Sequence, residues 1–89
     1  MNKTEKHEEI CKELNQIYES KNHDYGDSFA KVRNELGDRV ILVRLCDKIE
    51  RLKMLLSNQQ QQVKDESIDD TLKDLANYAI MELIERGVE

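Results

Sequence analysis

The sequence contains no proline, no tryptophan and only three glycines among its 89 residues. Proline and glycine destabilise helix interiors more than other residues do, so their scarcity favours long, uninterrupted helices. Aromatic residues make up 4% of the chain, and a single copy therefore has few large apolar side chains to bury. Charged residues make up 37%, which suits helices with solvated faces better than a β-sandwich. We expect an all-α protein of one domain, residues 1–89, that completes its core by self-association.

The charge balance is acidic, with 14 basic and 19 acidic side chains and a formal net charge of −5. Broad binding to nucleic acid or to a membrane surface needs a basic face, so we expect neither partner. A small anionic ligand bound through a divalent metal ion is compatible with this charge. Cys11 and Cys46 match no zinc-binding spacing, and we expect two reduced thiols. Because the sequence shows no signal peptide and no apolar run of membrane-spanning length, we expect a cytosolic location.

Hydrophobic spacing predicts four helices joined by polar segments. The predicted ranges are residues 4 to 20 or 21, 29–36, 39–57, and 65 or 66 to 87. Thr4 and Asp38 are the expected N-caps of the first and third of these helices. Residues 22–27 break the helical pattern, and Gly26 is free there to take a positive φ. Residues 58–65, which include four successive glutamines, predict a polar connection.

The third predicted helix is apolar on two sides when its residues are placed at about 100° each. One side is the expected core face, formed by Ile41, Leu45, Ile49, Leu52 and Leu56. The opposite side combines apolar and acidic residues: Val43, Asp47, Glu50 and Met54. A fully solvated face would not flank its carboxylates in this way, which favours a half-buried acidic site. The alternative is that Asp47 and Glu50 form ordinary surface pairs with Lys48, Arg51 or Lys53. Arg51 lies four residues after Asp47, a spacing that allows such a pair.

The last predicted helix repeats this design. Its apolar face consists of Ile68, Leu72, Leu75, Ala76, Ala79 and Leu83. Its second face carries Glu66, Asp70, Asp74 and Asn77. Acids four residues apart repel each other by a few tenths of a kcal/mol, and the helix dipole relieves this repulsion only in the first turn. Asp74 lies beyond that turn, where a bound cation would relieve it.

Brought face to face, the two acidic stripes would place four or five carboxylates around one cavity, drawn from Asp47, Glu50, Glu66, Asp70 and Asp74. Carboxylates in a half-buried site stay ionised only when metal ions or strong donors compensate their charge. A ligand set made of oxygen atoms selects a hard cation, so the pattern predicts Mg²⁺, with Mn²⁺ as an alternative, rather than zinc. Mg²⁺ held in this way keeps coordination positions for water and substrate phosphates.

These motifs resemble those of the MazG-like all-α nucleoside triphosphate pyrophosphohydrolases, whose relatives include dimeric dUTPases and phosphoribosyl-ATP pyrophosphohydrolase. That superfamily carries an E-x-x-E pair on one helix and an E-x-x-D pair on the next, which jointly hold Mg²⁺. Here the first pair reads Asp47-Lys-Ile-Glu50, and the second lies within ESIDDTLKDLANYA, residues 66–79. The chain is similar to a branch of short phage and bacterial proteins associated with nucleotide modification. That branch shares the DYG-S pattern of residues 24–28 and the R-x-x-DKxxR pattern of residues 44–51.

The resemblance implies an antiparallel bundle of three long helices and one short helix, completed as a homodimer or homotetramer. It also implies Mg²⁺-dependent hydrolysis of (deoxy)nucleoside triphosphates to a nucleoside monophosphate and pyrophosphate, in a bacterial or phage-infected host cytosol. Glu50 or Glu66 would act as the catalytic residue that orients or deprotonates the attacking water.

The register of the second acidic pair stays open. Glu66-Ser-Ile-Asp69 fits the E-x-x-D pattern literally, whereas the helical wheel favours the set formed by Glu66, Asp70 and Asp74. In that second register, Asp69 helps to cap the helix. If Asp74 takes the place of the family's aspartate, Thr71 stands where the family has glutamate.

The segment KNHDYGDSF is neither an ordinary linker nor a core segment. As the lid or base-recognition segment of a nucleotide site, it would stack His23 or Tyr25 on a base. Asp24, Asp27 or Ser28 would read the edge of the base or the sugar. The candidate ligand contacts are Lys21, His23, Asp24, Tyr25, Ser28, Lys48, Arg51 and Asn77. The alternative is a helix end followed by a turn, with Tyr25 and Phe29 packed on the core.

Two other functions stay open beside the enzyme. The departures from the family pattern at Asp47 and Thr71 favour a non-catalytic protein of the same fold that binds and sequesters a nucleotide. A structural helical adaptor, with its acids solvated or paired between subunits, is the third hypothesis. Mg²⁺ should raise thermal stability only where a metal site assembles in the folded state.

Overall fold

The computed structural model describes residues 2–57 and 67–87. These residues form four helices and no strand: α1 spans Lys3–Tyr25, α2 Ser28–Leu36, α3 Val40–Leu56 and α4 Ile68–Glu85. The all-α class, with three long helices and one short helix, is confirmed. The predicted connection at residues 58–65 and the predicted ligand Glu66 lie outside the described residues. No helix in the described part of the chain has the length and apolarity that a membrane crossing requires.

Helix α1 is longer than predicted at both ends. Its N-cap is Asn2, whose Oδ1 accepts a hydrogen bond from the Glu5 amide at 2.8 Å, so the prediction of Thr4 as the cap is wrong. At its other end, α1 continues through residues predicted to be irregular and stops at Tyr25. Gly26 follows with a φ of 67°, in agreement with the predicted turn. The side chains at the end of α1 therefore keep helical spacing.

The starts of α3 and α4 also differ from the predicted ones. Arg39 precedes α3, and Asp38 is not its N-cap. Helix α4 begins after Ser67, whose Oγ accepts a hydrogen bond from the Asp70 amide at 3.0 Å. The Asp70 carboxylate in turn accepts a hydrogen bond from the Ser67 amide at 3.4 Å, which completes a capping box. Asp70 is thus the residue that helps to cap α4, a role predicted for Asp69.

The hydrophobic core of the single chain is small. Helix α4 packs chiefly against α3 and also contacts α1, while α2 contacts α3. In the described part of the chain the buried hydrophobic residues are Leu14, Phe29 and Val40. The ring of Phe29 on α2 lies 6.0 Å from the ring of Tyr78 on α4, with the ring planes tilted by 54°. Apolar burial of this size gives limited stability to an isolated chain.

Much of the apolar surface is instead exposed. The predicted core face of α3 is only half-buried at Ile41, Leu45 and Leu52, and Ile49 and Leu56 are exposed. Large exposed hydrophobic residues occur on all four helices: Ile10, Tyr25, Leu36, Leu42, Val43, Ile49, Met54, Leu56, Leu72, Ile80, Leu83 and Ile84. The radius of gyration is 14.5 Å, above the value of about 12 Å expected for a compact chain of this length. The chain is therefore less compact than a domain of this length that is stable on its own.

An ion pair with little contact to solvent ties α2 to α4. Arg33 Nε and Nη2 donate hydrogen bonds to the two carboxylate oxygens of Glu82 at 2.9 and 3.0 Å. Glu82 is 8% exposed, and Arg86, the residue that follows α4, approaches it at 3.7 Å. The hydrogen bonds from Arg33 hold the pKa of Glu82 below its ordinary value, although burial acts in the opposite direction. Glu82 is therefore ionised at neutral pH.

Candidate functional site

A cavity of about 310 Å³ lies between the end of α1, the start of α2, and the facing sides of α3 and α4. Three helices line it with residues spaced three, four or seven apart, which places each set on one helix face. These residues are Tyr18, Lys21, Asn22 and Tyr25 on α1, Arg44 and Lys48 on α3, and Asp74, Asn77, Tyr78 and Met81 on α4. Residues 26–29, at the start of α2, complete the lining. The volume falls within the range of small-molecule sites.

Asp74 lies between two lysines in this cavity. Lys21 Nζ is 3.1 Å from Asp74 Oδ1, and Lys48 Nζ is 3.0 Å from Asp74 Oδ2. Burial raises the pKa of Asp74, but the hydrogen bonds and positive charges of Lys48 and Lys21 together outweigh that effect and hold the pKa below its ordinary value. The carboxylate is therefore charged at neutral pH, and each of its oxygens accepts a hydrogen bond from one lysine.

The cavity is basic although the chain is acidic. Lys21, Arg44 and Lys48 line it together with two acids, Asp27 and Asp74, whereas the whole chain has a formal charge of −5. Convergent basic side chains raise the local concentration of anions and favour their binding. The cavity is thus suited to a small anion.

Aromatic side chains and a fixed amide form the rest of the wall. Tyr18, Tyr25, Phe29 and Tyr78 line the cavity, and Phe29 and Tyr78 are in ring contact. Asn77 Nδ2 donates a hydrogen bond to the backbone carbonyl of Leu14 at 3.1 Å, which fixes α4 against α1. Aromatic faces beside basic groups can accommodate a ligand with both a flat ring and a negative charge.

The predicted ligand contacts divide into two groups. Those that line the cavity are Lys21, Tyr25, Ser28, Lys48 and Asn77. His23, Asp24 and Arg51 lie outside its lining. His23 and Asp24 are exposed and interact with each other, with 3.2 Å between Nδ1 and Oδ1, and Arg51 is half-buried on α3. For all eight residues, contact with a ligand stays a prediction.

The predicted metal ligands occupy different settings. Asp47 and Glu50 are exposed on α3, and Glu50 pairs with Lys53 at 3.0 Å. Asp70 takes part in the cap of α4, and Asp74 is held by lysines in the cavity.

Within residues 2–57 and 67–87, no three His, Cys, Asp or Glu side chains are grouped closely enough to hold a metal ion. In one chain the described residues therefore do not form the ligand set expected for Mg²⁺. The predictions of Glu50 and Glu66 as catalytic residues, and of Mg²⁺ or Mn²⁺ as cofactor, stay predictions.

Several cavity residues were not among the predicted contacts, notably Tyr18, Asn22, Arg44 and Tyr78. The signal that could have identified the first two is the continuation of α1, because an unbroken helix aligns Tyr18 and Asn22 with Tyr25. Arg44 lies four residues before Lys48, a spacing that places both cations on one face of α3.

Comparison with protein families gives a match over most of the chain. The model of the family described as nucleotide modification associated domain 1 matches residues 21–85. This range is almost three quarters of the chain, begins at the first lysine of the cavity and includes all of α2, α3 and α4. No curated protein and no solved structure matches the chain.

Proposed function

The chain belongs to the nucleotide modification associated domain 1 family, and we propose that it binds a nucleotide in the cavity between α1, α3 and α4. The observation that carries this proposal is the convergence of Lys21, Arg44 and Lys48 beside aromatic side chains in one cavity. The cations would contact the phosphate through charge-assisted hydrogen bonds. Tyr18 and Tyr25, on one face of α1, would contact the base or the sugar.

Nucleotide titration of a lysine variant tests this proposal. Isothermal titration calorimetry with a panel of ribo- and deoxynucleotides should detect binding to the wild type. Lys48→Ala should weaken it by about tenfold or more, since a hydrogen bond to a charged group contributes about 1.5–3 kcal/mol. The matched control is Lys53→Ala, because Lys53 is on the same helix and also pairs with an acid, Glu50, but lies outside the cavity. Equal weakening in both variants, or no binding by the wild type, would contradict the proposal.

A second candidate function is Mg²⁺-dependent hydrolysis of (deoxy)nucleoside triphosphates to a nucleoside monophosphate and pyrophosphate, as in MazG-like enzymes. The observation in its favour is that Asp47 and Glu50 lie on α3 and Asp70 and Asp74 on α4, the two helices with the most extensive mutual packing. A ligand set would need Glu66 or carboxylates from a second copy. Pyrophosphate release from a deoxynucleotide panel with Mg²⁺ or Mn²⁺ tests it. Glu50→Gln should abolish the release, and an unchanged rate would rule out this role of Glu50.

Self-association forms part of the proposal, as a homodimer or homotetramer. The exposed apolar residues on α3 and α4, such as Met54 at 61% and Leu42 at 58%, support it, because large apolar patches on soluble proteins commonly mark interaction surfaces. Light scattering coupled to size exclusion should give at least twice the 10.5 kDa mass of one chain. A monomer at micromolar concentration would contradict this part of the proposal.

A cytosolic location accords with the two exposed free thiols, Cys11 and Cys46.

A further inference from the structure

The two lysines best placed to bind a phosphate are already bound to an acid of the chain. Asp74 uses one oxygen for Lys21 at 3.1 Å and the other for Lys48 at 3.0 Å. All three side chains line the cavity. An incoming anion thus meets a carboxylate that occupies the place between the two ammonium groups.

We infer that Asp74 is a built-in competitor for the ligand, which must displace its carboxylate from Lys21 and Lys48 before both lysines can bind a phosphate. This inference rests on the proposed nucleotide binding and specifies its ligand class. A terminal phosphate carries a charge of about −1.5 to −2 and three acceptor oxygens, whereas a carboxylate carries −1 and two oxygens. A terminal phosphate therefore gains more from the two lysines than Asp74 does, while a carboxylate or a phosphodiester, each with a single charge, gains no more than the Asp74 carboxylate that it would have to replace.

The exposure of the two lysines indicates how the exchange proceeds. The Lys21 side chain is 59% exposed, and that of Lys48 is 25% exposed. Lys21, at the solvent-facing side of the cavity, can turn from Asp74 to a ligand without disturbing the packing of α3 and α4. Lys48 keeps its position between these helices.

The test compares Asp74→Asn with a matched control. Glu13→Gln also removes one carboxylate and one ion pair between α1 and α4, because Glu13 pairs with Lys73 at 2.6 Å, but it lies outside the cavity. The probes are the four deoxynucleoside 5′-monophosphates and the corresponding 3′,5′-cyclic monophosphates, titrated by calorimetry without divalent metal. If the lysines are free of Asp74 in about a tenth of the molecules or fewer, Asp74→Asn should bind a 5′-monophosphate about tenfold more tightly or better. Glu13→Gln should match the wild type within about twofold.

The outcomes separate this inference from the proposed function. Tighter binding by Asp74→Asn alone, with 5′-monophosphates preferred over cyclic ones by the wild type, supports the inference. Unchanged or weaker binding by Asp74→Asn, or equal tightening by Glu13→Gln, overturns it while nucleotide binding stands. Absence of binding by the wild type and by both variants overturns the proposed function and the inference together.

If Asp74→Asn does not fold, a second measurement on the wild type tests the inference without it. Magnetic resonance of the Lys21 and Lys48 side-chain nitrogens and of the Asp74 carboxyl carbon can follow the titration. All three signals should shift as ligand is added, and their titration curves should give the same dissociation constant as calorimetry. A bound ligand that leaves the Asp74 carboxyl signal unchanged would overturn the inference.

Discussion

Replacing Glu82 with glutamine removes the negative charge from the ion pair that holds α2 on α4. Glutamine has an NH2 donor in place of one carboxylate oxygen, so one of the two hydrogen bonds that Arg33 Nε and Nη2 donate at 2.9 and 3.0 Å loses its acceptor. The Arg33 side chain is 17% exposed and that of Glu82 is 11% exposed, so the remaining guanidinium has little access to water. Removal of one partner from a fully buried pair costs about 3–5 kcal/mol. Because both side chains keep some solvent contact, we expect a loss of about 2–3 kcal/mol.

Urea unfolding at pH 7 and one fixed protein concentration measures this loss. Thermal unfolding gives a second measure. In a domain of this size, 1 kcal/mol corresponds to about 4–8 °C in Tm, so the Tm of Glu82→Gln should be lower than that of the wild type by roughly 10 °C or more. The control is Glu9→Gln, which removes the carboxylate of an exposed pair with Lys6 at 3.5 Å and should cost less than about 0.5 kcal/mol. A double replacement of Arg33 and Glu82 by leucine should recover part of the loss, since it leaves no charge unpaired. If Glu82→Gln costs no more than Glu9→Gln, this ion pair does not hold α2 in place.

Three further predictions follow from the same structure. Glu82 and Asp74 have lowered pKa values, so their stabilising effect is complete above about pH 4–4.5 and is lost as the pH falls through their folded-state values. Urea midpoints should accordingly drop between pH 5 and pH 2.5, and less steeply in Glu82→Gln. Ser67→Ala should cost about 1 kcal/mol in urea unfolding through loss of the α4 cap, and an unchanged midpoint would refute that role. Gly26→Ala should cost about 1–3 kcal/mol in the same assay, because φ 67° and ψ −164° are open almost only to glycine.

The helices could be predicted from the sequence because their signals are local. The absence of proline and the spacing of apolar residues depend only on neighbours within one or two turns. The end of α1 was missed for a related reason: Asn22, His23 and Asp24 are weak helix formers, and their composition predicts a break. In the folded chain Lys21 pairs with Asp74 and Tyr25 lines the cavity wall, and such contacts between distant segments outweigh weak propensity. The extension of α1 beyond its predicted end therefore depends on tertiary contacts that no local pattern contains.

The site was harder to predict because its contacts join distant parts of the chain. The two lysines of the cavity are among the predicted ligand contacts, but the acid that they share was not predicted as their partner. The sequence gives no sign of the ion pair between Arg33 and Glu82, because the two residues are 49 positions apart and each is an ordinary charged residue within an amphipathic helix. A helical wheel shows which residues share a face, but it does not show which residue of another helix they meet.

The acids of α4 illustrate what their spacing does and does not require. Acids four residues apart must be compensated, and the compensation in the described residues comes from the chain itself. Asp70 is stabilised by its hydrogen bond from the Ser67 amide, and Asp74 by the ammonium groups of Lys21 and Lys48. Thr71, at the position where the family pattern would place glutamate, is 2% exposed and donates its hydroxyl hydrogen bond to the Ser67 carbonyl at 2.9 Å. A carboxylate there would be buried without a partner, so a hydrolytic site on α4 would depend on Glu66 and on release of Asp74 from its two lysines.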